Sequence, residues 1–369
     1  MIRAPAVVGL RPVLVTGGAG FIGSNLADRL AREGHYVIVL DSLARKGAEL
    51  NADWLSRRHP DRITLIRSDV RDAAALRQAV ADAGAVFHFA AQVAVTTSFA
   101  DPQDDFSVNL AGTLGLLEEV RHQQRSIPLI FASTNKVYGE LADLAFTCDG
   151  DAYRPSNVEL RGNGISETRP LDFHTPYGCS KGAADQYVLD YARSFDLPTA
   201  VLRMSCIYGP RQMGNEDQGW VAHFLIQALK GEPITIFGDG RQVRDILYVE
   251  DAVDAYLAAW KRIGSVRGRA FNLGGGVANA VSLRDLVAFI EHELGHKVET
   301  RYEDWRPGDQ RYYVSDRRRA ETDLFLKTPT PWHEGVKKLL AWLSSQSVAQ
   351  PLRRVSAFDH KFQRTEATG

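Results

Sequence analysis

Val13-Leu14-Val15-Thr16-Gly17-Gly18-Ala19-Gly20-Phe21-Ile22-Gly23 decides the fold of this chain. Val13–Thr16 is a short β-branched, apolar run, which reads as a buried strand. The glycines follow at once, and Ser24-Asn25-Leu26-Ala27-Asp28-Arg29-Leu30-Ala31 continues with helical apolar spacing. Strand, glycine turn and helix in that order are the context that gives a dinucleotide fingerprint its weight. Gly17, Gly20 and Gly23 permit the tight turn and a close approach of backbone to a pyrophosphate, which rests on the helix N-terminus at Phe21 and Ile22. The next strand, residues 36–40, ends at Asp41. That acid lies about twenty residues past the turn, where a carboxylate hydrogen-bonds ribose hydroxyls. It would repel a 2′-phosphate, so the expected cofactor is NAD rather than NADP, with Arg45 and Lys46 as nearby cations that weigh the other way.

Outward from this unit the chain alternates strands and helices. Strands are expected at 63–66, 85–89, 129–132 and 200–203, and a long helix at 104–123. Such alternation means a parallel sheet covered on both faces, with ligands outside the carboxyl ends of the strands. The expected fold is α/β, a Rossmann-type doubly wound parallel sheet with a smaller C-terminal substrate-binding lobe. Gly17, Asp41, Gln92 and Thr134 all fall at strand ends and are expected in one cleft, joined by Asp69, Val70, Ala90 and Ala91. The expected division is a cofactor domain over 1–205 to which 246–275 returns, a substrate lobe over 206–245 and 276–345, and a polar tail over 346–369.

Composition removes other classes. Forty-four basic residues balance 45 acidic ones, for a net charge of −1, which argues against nucleic acid or an anionic membrane as partner. Cys148, Cys179 and Cys206 are scattered, with no CxxC, so neither a disulfide framework nor a zinc ribbon is indicated and a reducing cytoplasm is expected. The apolar start 4–10 is interrupted by Arg11-Pro12 and reads as no export signal. No apolar run reaches membrane-spanning length. His292-Glu293-Leu294-Gly295-His296 formally matches H-E-x-x-H. Gly295, however, reads as the residue that ends the helix, which turns His296 away from His292. No metal site is expected.

The chemistry centres on Thr175-Pro176-Tyr177-Gly178-Cys179-Ser180-Lys181. Pro176 suits a helix start, and an i, i+4 pair stacks on one helix face. A phenol is a poor base at its usual pKa of about 10, but an ammonium within about 4–6 Å favours the phenolate. Tyr177 tuned by Lys181 would take a proton from a sugar hydroxyl, with Thr134 as its hydrogen-bonding companion.

Taken together, these stretches resemble the extended short-chain dehydrogenase/reductase family of nucleotide-sugar epimerases and dehydratases, over nearly the whole chain to about residue 345. Residues 16–23 look like its NAD turn and Tyr177/Lys181 like its catalytic pair. Val137-Tyr138-Gly139 and Tyr208-Gly209-Pro210 look like its strand-end markers. Gln242-Val243-Arg244-Asp245 and Arg306-Pro307-Gly308-Asp309 look like its diphosphate clamp. In the 4,6-dehydratases Asp and Glu follow the threonine; here Asn135 and Lys136 follow Thr134. An amide cannot protonate a leaving hydroxyl and an ammonium cannot abstract a proton, so dehydration is disfavoured. Ser133-Thr134-Asn135-Lys136-Val137-Tyr138-Gly139 resembles instead the CDP-paratose 2-epimerases, as do residues 171–187 and 217–221. Cys206 stands where galactose-type 4-epimerases carry Asn. Ala132, Ala91 and Ala44 depart from the usual pattern.

The resemblance implies an isomerase that oxidises a sugar carbinol to a ketone and returns the hydride to the opposite face. It implies Arg244 and Arg306 on the diphosphate, and Ser98, Asn135, Lys136 and Cys206 on the substrate. The substrate it implies is a CDP- or UDP-sugar, inverted at C2. Its other readings are a UDP-sugar 4-epimerase or decarboxylase and, outside catalysis, an NAD-binding regulator. A homodimer or dimer of dimers is expected by analogy, through the 104–123 helix and the Tyr177 helix.

Overall fold

The computed structural model describes residues 11–349; the apolar start at 4–10 and the tail from 350 onward lie outside them. Seven strands form the central sheet: Val13–Thr16 (β1), Val37–Asp41 (β2), Ile63–Arg67 (β3), Ala85–His88 (β4), Leu129–Thr134 (β5), Thr199–Met204 (β6) and Arg269–Leu273 (β7). They lie in the order β7-β6-β5-β4-β1-β2-β3, every neighbouring pair parallel. The order reverses between β1 and β4, so the two carboxyl ends that diverge there open a crevice. Strand residues alternate between two cores: Val13 and Val15 join Val37, Val39 and Phe87 on one face, while Leu14 joins Ile38, Leu40 and Val86 on the other. Both faces are covered by helices, which is why the strands read as unbroken apolar runs.

The helix expected over 104–123 is divided. Pro102–Phe106 leads into a π-helical turn, Ser107–Ala111, before Gly112–His122 resumes α geometry. Polar side chains account for the division: Asn109 donates to Asp105 at 3.1 Å and to Ser180 at 3.2 Å, and Thr113 donates back to the Asn109 carbonyl at 2.6 Å. The turn thereby leans on the Tyr177 helix, Thr175–Ser194. The expectation of an aperiodic tail from 346 needs correction, because the helix Trp332–Ala349 runs through that boundary. Ser344 and Ser345 near that boundary return their hydroxyls to the carbonyls of Leu340 and Trp342, so these polar side chains are satisfied within the helix.

The chain reaches β7 by way of the smaller sheet. In that sheet Val243–Tyr248 pairs with Cys206–Tyr208, Ala280–Ser282 and Tyr312–Tyr313. A third core surrounds Tyr208, Phe224, Ile246 and Leu339. Between β5 and the Tyr177 helix a hairpin, Phe146–Asp149 with Ala152–Pro155, lies against this sheet through Phe146 and Tyr312, whose rings are 6.2 Å apart.

A buried polar knot joins the Tyr177 helix to the sheet. Arg203 on β6 grips Asp185 with two parallel hydrogen bonds of 2.9 Å, Ser133 on β5 donates to the same carboxylate at 2.7 Å, and Arg203 also reaches the Tyr138 hydroxyl at 3.0 Å. The two charged side chains are 5% and 0% exposed. Removing one member of a buried pair strands the other charge. Asp185→Ala is therefore expected to lower unfolding stability by about 3–5 kcal/mol. Urea unfolding at fixed protein concentration should show the lower midpoint with an unchanged slope; a loss under about 1 kcal/mol would contradict the assignment.

Candidate active site

Gly17 adopts φ 65°, and a Cβ on it would lie 2.6 Å from the Ala90 backbone nitrogen; a Cβ on Gly23 would lie 2.3 Å from the Gly17 carbonyl. Only glycine allows turn, helix and β4 to meet this closely. Gly20 caps the helix Phe21–Arg32 without a side-chain bond, and the first turn holds no acidic residue. The positive end of that helix thus meets no carboxylate of its own. Asp41, at the end of β2, accepts from the amides of Ala19 and Leu43, both at 2.9 Å, which fixes its carboxylate beside the turn.

These groups line a cleft of about 560 Å³. Its wall includes Gly17, Gly20, Phe21, Ile22, Gly23, Asp41, Asp69, Val70, Ala90, Ala91 and Gln92, the full set of expected cofactor contacts, with Tyr177 and Lys181. Asp69 bonds to Arg71, which holds its carboxyl below the usual range. Gln92 is folded onto Ala94, accepting from its amide at 2.7 Å and donating to its carbonyl at 2.8 Å. A pyrophosphate on the bare helix end and a ribose against Asp41 fit this donor set, so the residues suit a dinucleotide.

The cleft also takes wall residues that the sequence reading omitted: Asn51, Arg211, Met213 and Gln218. Asn51 donates to the carbonyls of Ala19 and Arg211, and Asn25 donates to that of Pro210. These bonds tie the loop after Tyr208-Gly209-Pro210 to the glycine turn. Periodicity gives no sign of them, since they span 160 and 185 residues.

Tyr177 and Lys181 share one helix face and are 8% and 3% exposed. Lys181 Nζ donates to the Ala132 carbonyl at 2.7 Å and lies 4.1 Å from the centre of the Phe131 ring. Burial pushes the Tyr177 phenol up to about 12, opposed by the Thr134 hydroxyl bonded to it and by the Arg45 cation. Burial also pushes Lys181 down to about 7, against Asp185 and Asp105. The expected lowering of the phenol by Lys181 is therefore corrected: desolvation sets the direction, the groups that oppose it are Thr134 and Arg45, and the Lys181 Nζ points at a carbonyl. Asp105 is a further member the sequence reading omitted. It is fully buried, takes the Ser180 hydroxyl and the Asn109 amide, and is itself raised by burial.

The six expected substrate contacts lie beyond the wall of the cofactor cleft. Lys136 and Arg244 gather around Asp309, where Arg244 meets the carboxylate at 2.6 Å and Lys136 stands 3.8 Å from it, and Cys206 lies near both cations. Burial pushes the Lys136 ammonium down and the Cys206 thiol up. Asn135 donates to Gln310 at 2.9 Å. Arg306 stands apart from that cluster, stacked 3.7 Å over the Phe237 ring and donating to the Glu216 carbonyl at 2.9 Å. Ser98 is turned onto its own helix, at the Val95 carbonyl.

The H-E-x-x-H match falls at the end of Leu283–Leu294, where Gly295 takes φ 73° and its amide returns to Glu291. The two histidines therefore do not share a continuous helix. Among the described residues no group of three or more His, Cys, Asp or Glu side chains is placed to hold a metal ion.

The fold recurs in known proteins. Residues 13–274 match the model of the NAD dependent epimerase/dehydratase family. A CDP-paratose 2-epimerase of Salmonella typhi is 40% identical over 90% of this chain and 99% of its own length. A UDP-glucose 4-epimerase of Thermotoga maritima, solved with UDP-glucose, is 30% identical with a TM-score of 0.77, over 91% of this chain and 99% of its own. A UDP-glucuronic acid 4-epimerase of Bacillus cereus, solved with UDP-glucuronic acid and NAD, superposes at a TM-score of 0.78 with 28% identity, over the same shares of the two chains. With a family match that spans most of the fold, and a relative aligned almost end to end, the chain belongs to the NAD dependent epimerase/dehydratase family.

Proposed function

We propose that this enzyme, an NAD-dependent nucleotide-sugar epimerase, inverts C2 of a CDP-linked sugar of the CDP-paratose to CDP-tyvelose type. One observation carries the reading. Tyr177 and Lys181 line the cleft and Thr134 lies beside Tyr177 just behind that wall, while the two positions after Thr134 hold Asn135 and Lys136, which cannot serve as the acid and base of a dehydration. The 40% identity to a CDP-paratose 2-epimerase supports the sugar and the carbon. Two solved relatives are UDP-sugar 4-epimerases, which keeps a 4-epimerase as the second reading.

NAD, held along the wall from Gly17 to Gln92, would supply a reversible hydride acceptor beside the sugar carbon. The Tyr177 oxygen takes the hydroxyl proton as the C–H and O–H bonds break, and gives it back as they re-form. The Thr134 hydroxyl, beside the phenol, is assigned to the same sugar oxygen. Lys181, held at Ala132 on the same helix face, supplies a cation to the site when protonated. Arg244 and Arg306 are assigned to the diphosphate, for which forked donors suit. Ser98 and Cys206 remain assigned to the substrate itself, Asn135 and Lys136 to its side of the site through their bonds to Gln310 and Gly308, and the wall residues from Gly17 to Gln92 to the cofactor. No redox equivalent is consumed in the cycle, so NAD stays with the enzyme.

The division into a cofactor domain over 1–205 and 246–275 and a lobe over 206–245 and 276–345 belongs to the same proposal. A homodimer is supported by exposed Phe99, Phe106 and Tyr187 on helices that pack together around the Tyr177 helix, with exposed Phe195 just past its end. A cytoplasmic setting accords with three unpaired cysteines, and no helix among the described residues is long and apolar enough to cross a membrane.

Tyr177→Phe is expected to cut turnover roughly 10³-fold while leaving NAD bound, measured by product NMR and by the dinucleotide released on denaturation. Retained turnover would point to another base. Because burial places the phenol at about 12 in the protein alone, the proton-accepting form is the minor one at neutral pH and grows as pH rises. Initial rates are therefore expected to climb with pH up to about 7, where Lys181 still carries its charge, and to level off above it as that charge is lost; a profile that falls between about pH 6 and pH 7 would contradict a phenolate base.

A further inference from the structure

Asn135 and Lys136 leave the end of β5 and both terminate on one loop, residues 304–311, between the strands Thr300–Glu303 and Tyr312–Tyr313. Lys136 Nζ donates to the Gly308 carbonyl at 2.9 Å. Asn135 donates to Gln310 Oε1, and Gln310 Nε2 returns to the Gly139 carbonyl at 2.6 Å. Gln310 is fully buried at this junction. The same loop meets the Tyr177 helix. Gly308 adopts φ 73°, and a Cβ there would lie 2.7 Å from Thr175 Cγ2. Thr175 itself takes φ 65°, a conformation a β-branched residue keeps only where its surroundings hold it. The loop is thus fastened to both elements that carry proton-transfer groups, the strand end with Thr134 and the helix with Tyr177.

We propose that Asn135 and Lys136 are positioning residues that fasten this loop to the catalytic strand end and keep the lobe closed over the ketone stage of the reaction. The inference rests on the epimerase reading above. An epimerase has a requirement that a one-way oxidation lacks: the ketone must turn without leaving, or the hydride has nowhere to return. The loop carries Arg306 and also Asp309, the partner of Arg244, so its closure governs both cations assigned to the diphosphate. The residue types fit the task. The Asn135 amide and the Lys136 ammonium are donors, and they meet an amide oxygen and a carbonyl; ionised Asp and Glu in their places would have no proton to donate there. The same two positions cannot supply a dehydratase's acid and base and also these two bonds.

The test compares Lys136→Met, Asn135→Ala and Lys136→Arg in the full chain with NAD bound. Hydrogen exchange of amides 306–311 with CDP present is expected to quicken roughly fivefold in Lys136→Met and Asn135→Ala, and to stay near wild type in Lys136→Arg. Unchanged exchange in both weakened variants overturns the proposal, and either one alone suffices should the other fail to fold. Under turnover with CDP-paratose, the weakened variants are expected to release a keto-sugar nucleotide and to accumulate reduced dinucleotide. Lower rates without leakage would leave a merely structural role and overturn the positioning claim. A wild-type enzyme that epimerises no CDP-sugar would defeat the underlying function instead, and the exchange result would still judge the loop.

Discussion

Lys181 on the Ala132 carbonyl, with Asp185 one turn further held by Ser133 and Arg203, is the constraint on which the site depends. It ties the helix that carries Tyr177 to the carboxyl ends of β5 and β6 by buried polar bonds, which have only a few satisfactory geometries. Apolar packing alone would let the helix slide or rotate by small amounts at little cost. A buried ion pair contributes little net stability after desolvation, but a misplaced one leaves a bare charge. We regard this pairing as a registration device: it sets the rotation of the helix and hence the direction of the phenol. Ser133 and Ala132 directly precede Thr134, so the same two strand residues also place the hydroxyl that meets that phenol.

The glycine turn, Asp41 and the alternation of strands and helices were legible because each is local. A strand shows its burial within four or five residues, and a turn shows its backbone need in its glycines. The lining of the cleft followed from those elements, since its expected members sit at or just past strand ends or in the first turn of the helix Phe21–Arg32. What stayed hidden is long-range or electrostatic. Asn51 and the Arg211–Gln218 stretch reach the cleft only because the chain returns there. The π turn at Ser107–Ala111 depends on Asn109 finding Asp105 and Ser180, a meeting that helical spacing cannot show. The influence of Lys181 on Tyr177 was read from their spacing, yet burial of both groups dominates, and burial is a property of the whole fold.

Asn135 and Lys136 show how a small change at a shared scaffold alters the chemistry. The sequence excluded acid–base elimination at these positions by residue type alone. It did not show what the side chains do instead, because their partners, Gly308 and Gln310, lie 172 and 175 residues further on. With elimination excluded and the Thr134/Tyr177/Lys181 set kept, the chemistry left to the site is reversible oxidation of a carbinol, and the closed loop keeps that oxidation from ending in a lost ketone.

The central claim is that one carbon surrenders its hydride and regains the same one on the other face. CDP-paratose carrying deuterium at C2 tests it most directly, with product and enzyme-bound dinucleotide analysed by mass spectrometry after rapid quenching. The account predicts that the label remains at C2 of the inverted product and appears transiently on the dinucleotide. Label lost to solvent, with a dinucleotide that never carries deuterium, would contradict it and indicate inversion by proton exchange.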